Sequence, residues 1–243
     1  GRKLEADFHI IHGHANSIKD AMRCVREISV EVEDVVFNAL ASALVVLDST
    51  QKEMGVLVLD IGAGTTDYLA YVDAVVKCSG VLAVGGDHVT NDISMGVRIP
   101  MMKADLLKVE EGSVVLGNSL PGETISLKGD ASFAGREIER ETLNTIIHLR
   151  MREVFELIRN RLQAEKCLDY LGAGVVLTGG GSQLHGLRHL AEEVFGLPAS
   201  VVYAKSVSGV TSAIERPEYS TAIGLVKYAQ LVHQNRGENG LGG

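Results

Sequence analysis

Tryptophan is absent from this 243-residue sequence, which also has only four prolines and three cysteines. Cys24, Cys78 and Cys167 form neither a Cys-x-x-Cys motif nor an even-numbered disulfide framework. This pattern excludes a disulfide-stapled secreted domain, and we expect three unpaired thiols in a reduced, cytosolic protein. No apolar run reaches the roughly 18 residues that a membrane-spanning helix needs, and no secretory signal pattern is present.

Clusters of positive charge are also missing. The formal net charge is -8, and no run of lysine and arginine is long enough to follow a nucleic-acid backbone. We therefore predict no nucleic-acid partner. A phosphate-bearing ligand would have to be held by backbone amides and a metal ion. By contrast, 46% of the residues are hydrophobic, which is enough for a substantial core.

Strand-like and helix-like apolar patterns alternate along the chain, which predicts an α/β fold. Strands are predicted at 5–12, 30–37, 55–60, 65–72, 74–86, 174–180 and 199–204. Helices are predicted at 16–29, 38–47, 90–97, 100–111, 137–166, 186–196 and 219–232, the first with Asn16 or Ser17 as its N-cap. Residues 49–53 are predicted to be a polar turn, 112–136 short turns and strands, and 237–243 a disordered tail.

The third of these strands ends in the motif DIGAGTTD, residues 60–67. No Gly-Lys-Ser/Thr follows, so it is not a Walker A loop. It is not a Rossmann fingerprint either, because Asp67 stands where a third glycine is needed and YLAYV continues as a strand. The remaining alternatives are a plain β-hairpin turn and a hairpin that cradles phosphate. A cradle would use Gly62 and Gly64 for close approach, Thr65 and Thr66 as hydroxyl donors, and Asp60 to hold a hydrated Mg²⁺.

Two more glycine loops follow apolar strands. VGGDHVTNDI, residues 84–93, precedes a helix whose N-terminus could face phosphate oxygens. VVLTGGGSQL, residues 175–184, is compatible with a backbone packed against a flat ligand. Taken alone, residues 175–184 are equally compatible with an ordinary tight turn, and residues 84–93 favour one.

The order of these motifs resembles the second lobe of actin-like ATPases, and among them the FtsA family of bacterial cell-division proteins. The resemblance extends along almost the whole chain and includes LVLDIGAGTTDY, GGDHVTNDIS, MMKADLLKVEEG, GVVLTGGGSQLHGL and PEYSTAIGLVKYA. Two positions depart from the family pattern: Ala63 replaces a usual glycine, and Asp105 replaces a usual glutamate. The resemblance implies an actin-like ATPase fold of the ribonuclease-H-like type, mainly its second lobe.

The family likeness implies a role for each matching residue, with ATP and Mg²⁺ as cofactors. The second phosphate loop would be Asp60, Gly62, Gly64, Thr65 and Thr66, with Asp60 also serving the metal and Gly85, Gly86 and Asp87 near the phosphates. Asp105 and Lys108 would flank the adenosine on one side, and Gly179, Gly180, Gly181 and Ser182 on the other. Without the likeness, Lys108 would be an ordinary solvated helix lysine.

The likeness also implies subdomains. We expect a remnant of the first lobe and an interdomain helix at 1–47, a large subdomain at 48–97 and 167–236, and a small subdomain at 98–166. An earlier phosphate hairpin and a C-terminal amphipathic membrane helix are expected to lie outside this chain, which would then be a fragment. The fragment should not hydrolyse ATP, and the whole protein should be at most a weak ATPase.

The implied function is an ATP-binding scaffold that forms filaments and links the FtsZ ring to the inner face of the cell membrane at the division site. The small subdomain would receive the C-terminal tail of FtsZ, with Arg150 and Arg152 as candidate contacts, although both could simply belong to a solvated helix face. Other functions on the same fold remain open: a sugar kinase or other phosphotransferase, a chaperone ATPase, or a pilus-assembly scaffold.

Overall fold

A computed structural model describes residues 3–6, 8–131, 133–204 and 214–239. Its helices are α1 (Ala15–Glu27), α2 (Asn38–Val46), α3 (Ser49–Met54), α4 (Gly86–Val97), α5 (Met101–Glu111), α6 (Arg140–Ala164), α7 (Leu187–Phe195) and α8 (Ser220–Asn239). Its strands are β1 (Val56–Ile61), β2 (Thr66–Val72), β3 (Val75–Leu82), β4 (Thr124–Leu127), β5 (Arg136–Glu139), β6 (Val175–Thr178) and β7 (Ala199–Val201). The predicted α/β class is confirmed.

Five strands form one mixed sheet in the order β3-β2-β1-β6-β7. β1 pairs antiparallel with β2 and parallel with β6, and β7 extends the parallel half. All six residues of β1 are buried. Successive side chains of a strand point to opposite faces, so Leu57 and Leu59 enter the main core while Val56 and Val58 join a second cluster on the other face.

The second cluster is covered by α2, whose small residues allow close packing. Ala39 and Ala43 lie in that cluster, and α8 packs across the same helix. A Cβ atom on Gly224 of α8 would lie only 2.0 Å from the carbonyl oxygen of Ala41. Only glycine allows the two backbones to approach this closely.

The predicted small subdomain, residues 98–166, contains α5, the β4–β5 hairpin and all of α6. One face of α6 is apolar and packs into the core, with Leu143, Ile147 and Phe155 fully buried. These residues belong to the same apolar cluster as β1, so one core continues from the sheet into this region. The boundaries between the subdomains stay a prediction.

Residues before α2 differ from the expected pattern. The described residues within 5–12 and 30–37 form no strand, and α1 begins after His14, without a side-chain cap. A strand needs a neighbour to receive its backbone hydrogen bonds, and among the described residues no strand pairs with either segment. α1 has no buried residue.

Two further segments are more ordered than predicted. Residues 49–53 belong to α3, because Asp48 and Gln51 form a capping box, which satisfies two backbone N–H groups at the start of the helix. α8 continues to Asn239 and so includes the first three residues of the predicted tail. Residues 240–243 lie outside the described residues. None of the helices described combines the length and apolar character needed to cross a membrane.

The expectation of three unpaired thiols is wrong. Cys78 on β3 and Cys167, three residues after α6, are joined by a disulfide, while Cys24 is free and exposed. The two paired residues are 89 positions apart in sequence. Their spacing matches no sequence motif, and they meet because α6 returns the chain to the sheet.

We predict that chain prepared without reductant will have one titratable thiol in denaturant, and fully reduced chain will have three. A closed loop of this length restricts the unfolded state, so reduction should lower the free energy of unfolding by about 4 kcal/mol. Thiol titration and urea unfolding of wild type and Cys78→Ser measure both effects, with Cys24→Ser as the matched control. Three thiols in the unreduced chain would contradict the prediction.

Candidate functional site

The hairpin between β1 and β2 exposes its backbone at the tip. The N–H of Gly62 donates to the carbonyl of Thr65 at 2.9 Å, which closes the turn. Ala63 and Gly64 at the tip are exposed. No acceptor among the described residues receives the N–H groups of Ala63, Gly64 or Thr65. A Cβ atom on Gly64 would meet nothing within 4 Å, so the tip is open to a ligand.

The start of α4 packs directly against this tip. The N–H groups of Gly86 and Asp87 donate to the carbonyls of Gly62 and Ala63 at 2.9 and 2.8 Å. A Cβ atom on Gly85 would lie 2.5 Å from the oxygen of Ala63. The second glycine loop therefore lies beside the first, as expected. However, two N–H groups of the helix terminus are used to hold the hairpin.

The two threonine hydroxyls are also used internally, although a phosphate cradle would have them free. Thr66 is fully buried and donates to the carbonyl of Val84 at 2.8 Å. Thr65 donates to a carboxylate oxygen of Asp67 at 2.9 Å. In this structure, backbone N–H groups rather than hydroxyls are the donors that the tip offers.

Lys108 is not a solvated helix lysine, since only 13% of its side chain is exposed. Its ammonium group donates to Thr90 and Asp105, both at 2.7 Å, and to the carbonyl of Gly86 at 3.2 Å. The hydrogen bond from Lys108 lowers the pKa of Asp105. This network ties α5 to the first turn of α4, next to the hairpin tip.

The third glycine loop reaches the same place from the other side. Gly179 has φ +80°, and a Cβ atom there would lie 2.4 Å from Oδ1 of Asp60. Gly181 packs against Ile61, and the buried Ser182 hydroxyl donates to the carbonyl of Gly179 at 2.7 Å. All three loops thus meet around the end of β1, and Gly180 stays exposed.

Asp60 lies at this meeting point and is 7% exposed. Its Oδ2 accepts hydrogen bonds from Ser42 of α2 at 2.6 Å and from Thr221 of α8 at 2.7 Å. Neutral hydroxyl groups therefore satisfy this one oxygen and do not neutralise the charge of the buried carboxylate. The sequence did not point to Ser42 or Thr221, because both lie on helices far from the glycine motifs.

Asp67 is a second acidic residue of the site, which was interpreted only as a departure from the Rossmann pattern. It is paired with Asp60 across the β1–β2 ladder. Burial raises its pKa, the hydrogen bond from Thr65 lowers it, and the charge of Asp60 raises it further. The sequence contained one signal for this residue: Asp67 follows the glycines of a tight hairpin and so lies opposite Asp60.

Arg150 and Arg152 lie on α6, and both are already paired. Arg150 contacts Asp92 with two nitrogens, at 2.6 and 3.1 Å, and also Glu153. Arg152 contacts Glu156 and Glu193. The hydrogen bond to Asp92 raises the pKa of Arg150. Neither charge is free to attract a partner.

The exposed polar groups of this site suit two kinds of ligand. Exposed N–H groups at the hairpin tip can bind a phosphate oxygen, and two neighbouring carboxylates provide the oxygen ligands that Mg²⁺ prefers. A cation would also relieve the repulsion between Asp60 and Asp67. The residues present therefore fit a hydrated divalent cation next to an anion.

Comparison with known proteins agrees with the early resemblance. The family model described as cell division protein FtsA matches residues 57–224. The chain is 36% identical over 228 residues to cell division protein FtsA of Pseudomonas aeruginosa. The aligned residues make up 94% of this chain and 55% of that protein. The chain thus spans about half the length of the curated relatives it matches.

Two solved structures show the fold. MreB5 of Spiroplasma citri bound to ADP has a TM-score of 0.70 at 20% identity, covering 92% of this chain and 68% of that one. A MamK double helical filament has a TM-score of 0.65 at 18% identity, covering 90% and 66%. The actin-like fold predicted from the motifs is confirmed.

We predict that Asp67 makes folding less favourable as the pH rises. Its pKa is higher in the folded than in the unfolded chain, so between about pH 4 and the folded value the native state binds more protons. The free energy of unfolding should fall across this range. Urea unfolding at several pH values should show a smaller fall in Asp67→Asn. Asp73→Asn, in the exposed next turn, is the control, and equal slopes in wild type and Asp67→Asn would contradict the prediction.

Proposed function

The chain belongs to the FtsA family of cell-division proteins, and on this basis we propose that it contributes one wall of an ATP site in an actin-like scaffold. The observation that carries the proposal is the meeting of three glycine loops around Asp60, with exposed N–H groups at the hairpin tip. A relative in fold, MreB5, was solved bound to ADP, which supports a nucleotide as the ligand.

In this proposal each part of the wall has a separate task. The N–H groups of Ala63, Gly64 and Thr65 bind phosphate oxygens. Asp60 and Asp67 hold a hydrated Mg²⁺. The ion neutralises the phosphate charge, which this acidic chain cannot neutralise by itself. Asp105 and Lys108 border the nucleoside on one side, and the segment from Gly179 to Ser182 borders it on the other. The described residues supply one wall, so for the 243-residue chain by itself we expect weak binding and no hydrolysis above background.

We further propose that the whole protein works as a scaffold, forming filaments and linking FtsZ to the inner face of the cell membrane at the division site. The family assignment to cell division supports this role. Filament formation is supported by the fold, since a MamK filament has the same one. Membrane attachment is proposed to use an amphipathic helix of the whole protein.

The FtsZ tail is proposed to bind a groove between α4 and α6. The groove is lined by Asp92, Met95, Ile146, Leu149, Arg150 and Glu153. Met95 is 71% and Leu149 60% exposed, so an apolar peptide side chain could cover both. Since Arg150 is balanced by Asp92 and Glu153, apolar contact rather than a free arginine charge would supply most of the affinity.

Gly64→Val tests the nucleotide site with little risk to the fold. A Cβ atom added at Gly64 meets no protein atom within 4 Å, and the valine side chain would stand where phosphate approaches the tip. Losing one hydrogen bond to a charged phosphate corresponds to at least about tenfold in affinity. Titration with a fluorescent ATP analogue should show this loss with an unchanged thermal midpoint. Gly13→Val, outside the site, is the control, and wild-type affinity in Gly64→Val would refute the phosphate role of the tip.

Leu149→Ser tests the peptide groove. Losing the burial of one leucine against the peptide should weaken binding of a labelled FtsZ-tail peptide by about tenfold. Fluorescence anisotropy at two salt concentrations measures the affinity. Leu157→Ser, on the same helix and 41% exposed but outside the groove, should leave the affinity unchanged. If Leu149→Ser and Leu157→Ser bind the peptide with equal affinity, the groove is not its binding site.

A further inference from the structure

Three polar side chains from three different elements meet in a closed triangle of short contacts. Ser42 and Thr221 both donate to Oδ2 of Asp60, and their hydroxyl oxygens lie 2.9 Å from each other. Ser42 is fully buried. Oδ1 of Asp60 accepts no hydrogen bond from the residues the structure describes, and it lies beside Gly179. The two carboxylate oxygens therefore have different tasks.

We propose that Ser42 and Thr221 are positioning residues that hold Asp60 so that Oδ1 stays available to a cation-bound water. This inference rests on the nucleotide site proposed above and assigns a function to residues outside its glycine loops. A carboxylate with one donor can still rotate and exchange its two oxygens. Two donors from separate helices on the same oxygen remove that freedom.

The chemistry of the donors supports this assignment. Hydrogen bonds to an ionised carboxylate are roughly twice as strong as those between neutral groups, so two hydroxyls suffice to hold the side chain. A lysine or arginine in their place would cancel the negative charge of Asp60. Serine and threonine orient the carboxylate and keep its full charge for the cation.

The same triangle connects the site to the packing of α2 against α8. Thr221 lies one helical turn before Gly224, where α8 touches the backbone of Ala41 in α2. Both donors therefore depend on the relative position of the two helices. A shift between α2 and α8 would change the orientation of Asp60 without moving any glycine loop.

The test uses variants that remove or keep one hydroxyl. Thr221→Val has nearly the same shape but no donor, Thr221→Ser keeps the donor, and Ser42→Ala removes the other. Ser220→Ala is the matched control, because Ser220 lies next to Thr221 on α8. Its hydroxyl accepts a buried hydrogen bond from Thr178 at 2.8 Å and makes no hydrogen bond to Asp60. Affinity for a fluorescent ATP analogue is measured in MgCl₂ and in EDTA.

Wild type should bind more tightly in MgCl₂ than in EDTA. Thr221→Val and Ser42→Ala should reduce this gain by about tenfold, as is usual for residues that orient a metal ligand. Their affinity in EDTA should not change. Thr221→Ser and Ser220→Ala should keep the full gain.

Three results would overturn the proposal in distinguishable ways. An unchanged gain in Thr221→Val and Ser42→Ala would show that neither hydroxyl positions Asp60. An equal loss in MgCl₂ and EDTA would show a purely structural role. No binding by wild type in either buffer would refute the nucleotide site itself. If Thr221→Val does not fold, Ser42→Ala decides the question, since it removes a donor to the same oxygen.

Discussion

Burial of β1 on both faces is the constraint on which the rest of the structure depends. Its side chains alternate between two apolar clusters, so the strand must lie between β2 and β6 with helices on either side. A strand held this firmly ends in a fixed direction. Asp60 and the hairpin tip are therefore placed by the core, and α4 and the loop after β6 only have to pack around them.

The three acidic residues near the end of β1 differ in the groups that their carboxylates contact. Asp105 is neutralised by Lys108, and its pKa is lowered by that contact. Asp67 has no cationic partner at the hairpin, and burial raises its pKa. One carboxylate oxygen of Asp60 accepts hydrogen bonds from two hydroxyl groups, which do not cancel its charge. Negative charge is therefore concentrated at the end of the central strand β1, next to free backbone N–H groups. A cation and an anion bound side by side would require this arrangement.

The sequence predicted the parts of the molecule whose signal is local. The apolar pattern identified every strand of the sheet, and the glycine motifs identified the three loops that meet at β1. It failed where a partner decides the outcome: residues 5–12 and 30–37 have strand-like patterns but no neighbouring strand among the described residues. The disulfide between Cys78 and Cys167 and the hydroxyls on Asp60 depend on contacts between distant segments. Thr66 has the expected residue type, but its hydroxyl is directed into the core.

The contact between Gly224 and Ala41 makes the crossing of α2 and α8 a pivot. Backbone meets backbone there, so no side chain can change rotamer to absorb a movement. Thr221 lies three residues along α8 from this point, a lever arm of about 4.5 Å. A tilt of about 10° would move its backbone by about 0.8 Å, enough to stretch a normal hydrogen bond to its limit. Small angular changes between the two helices are thereby converted into making or breaking a single contact with Asp60.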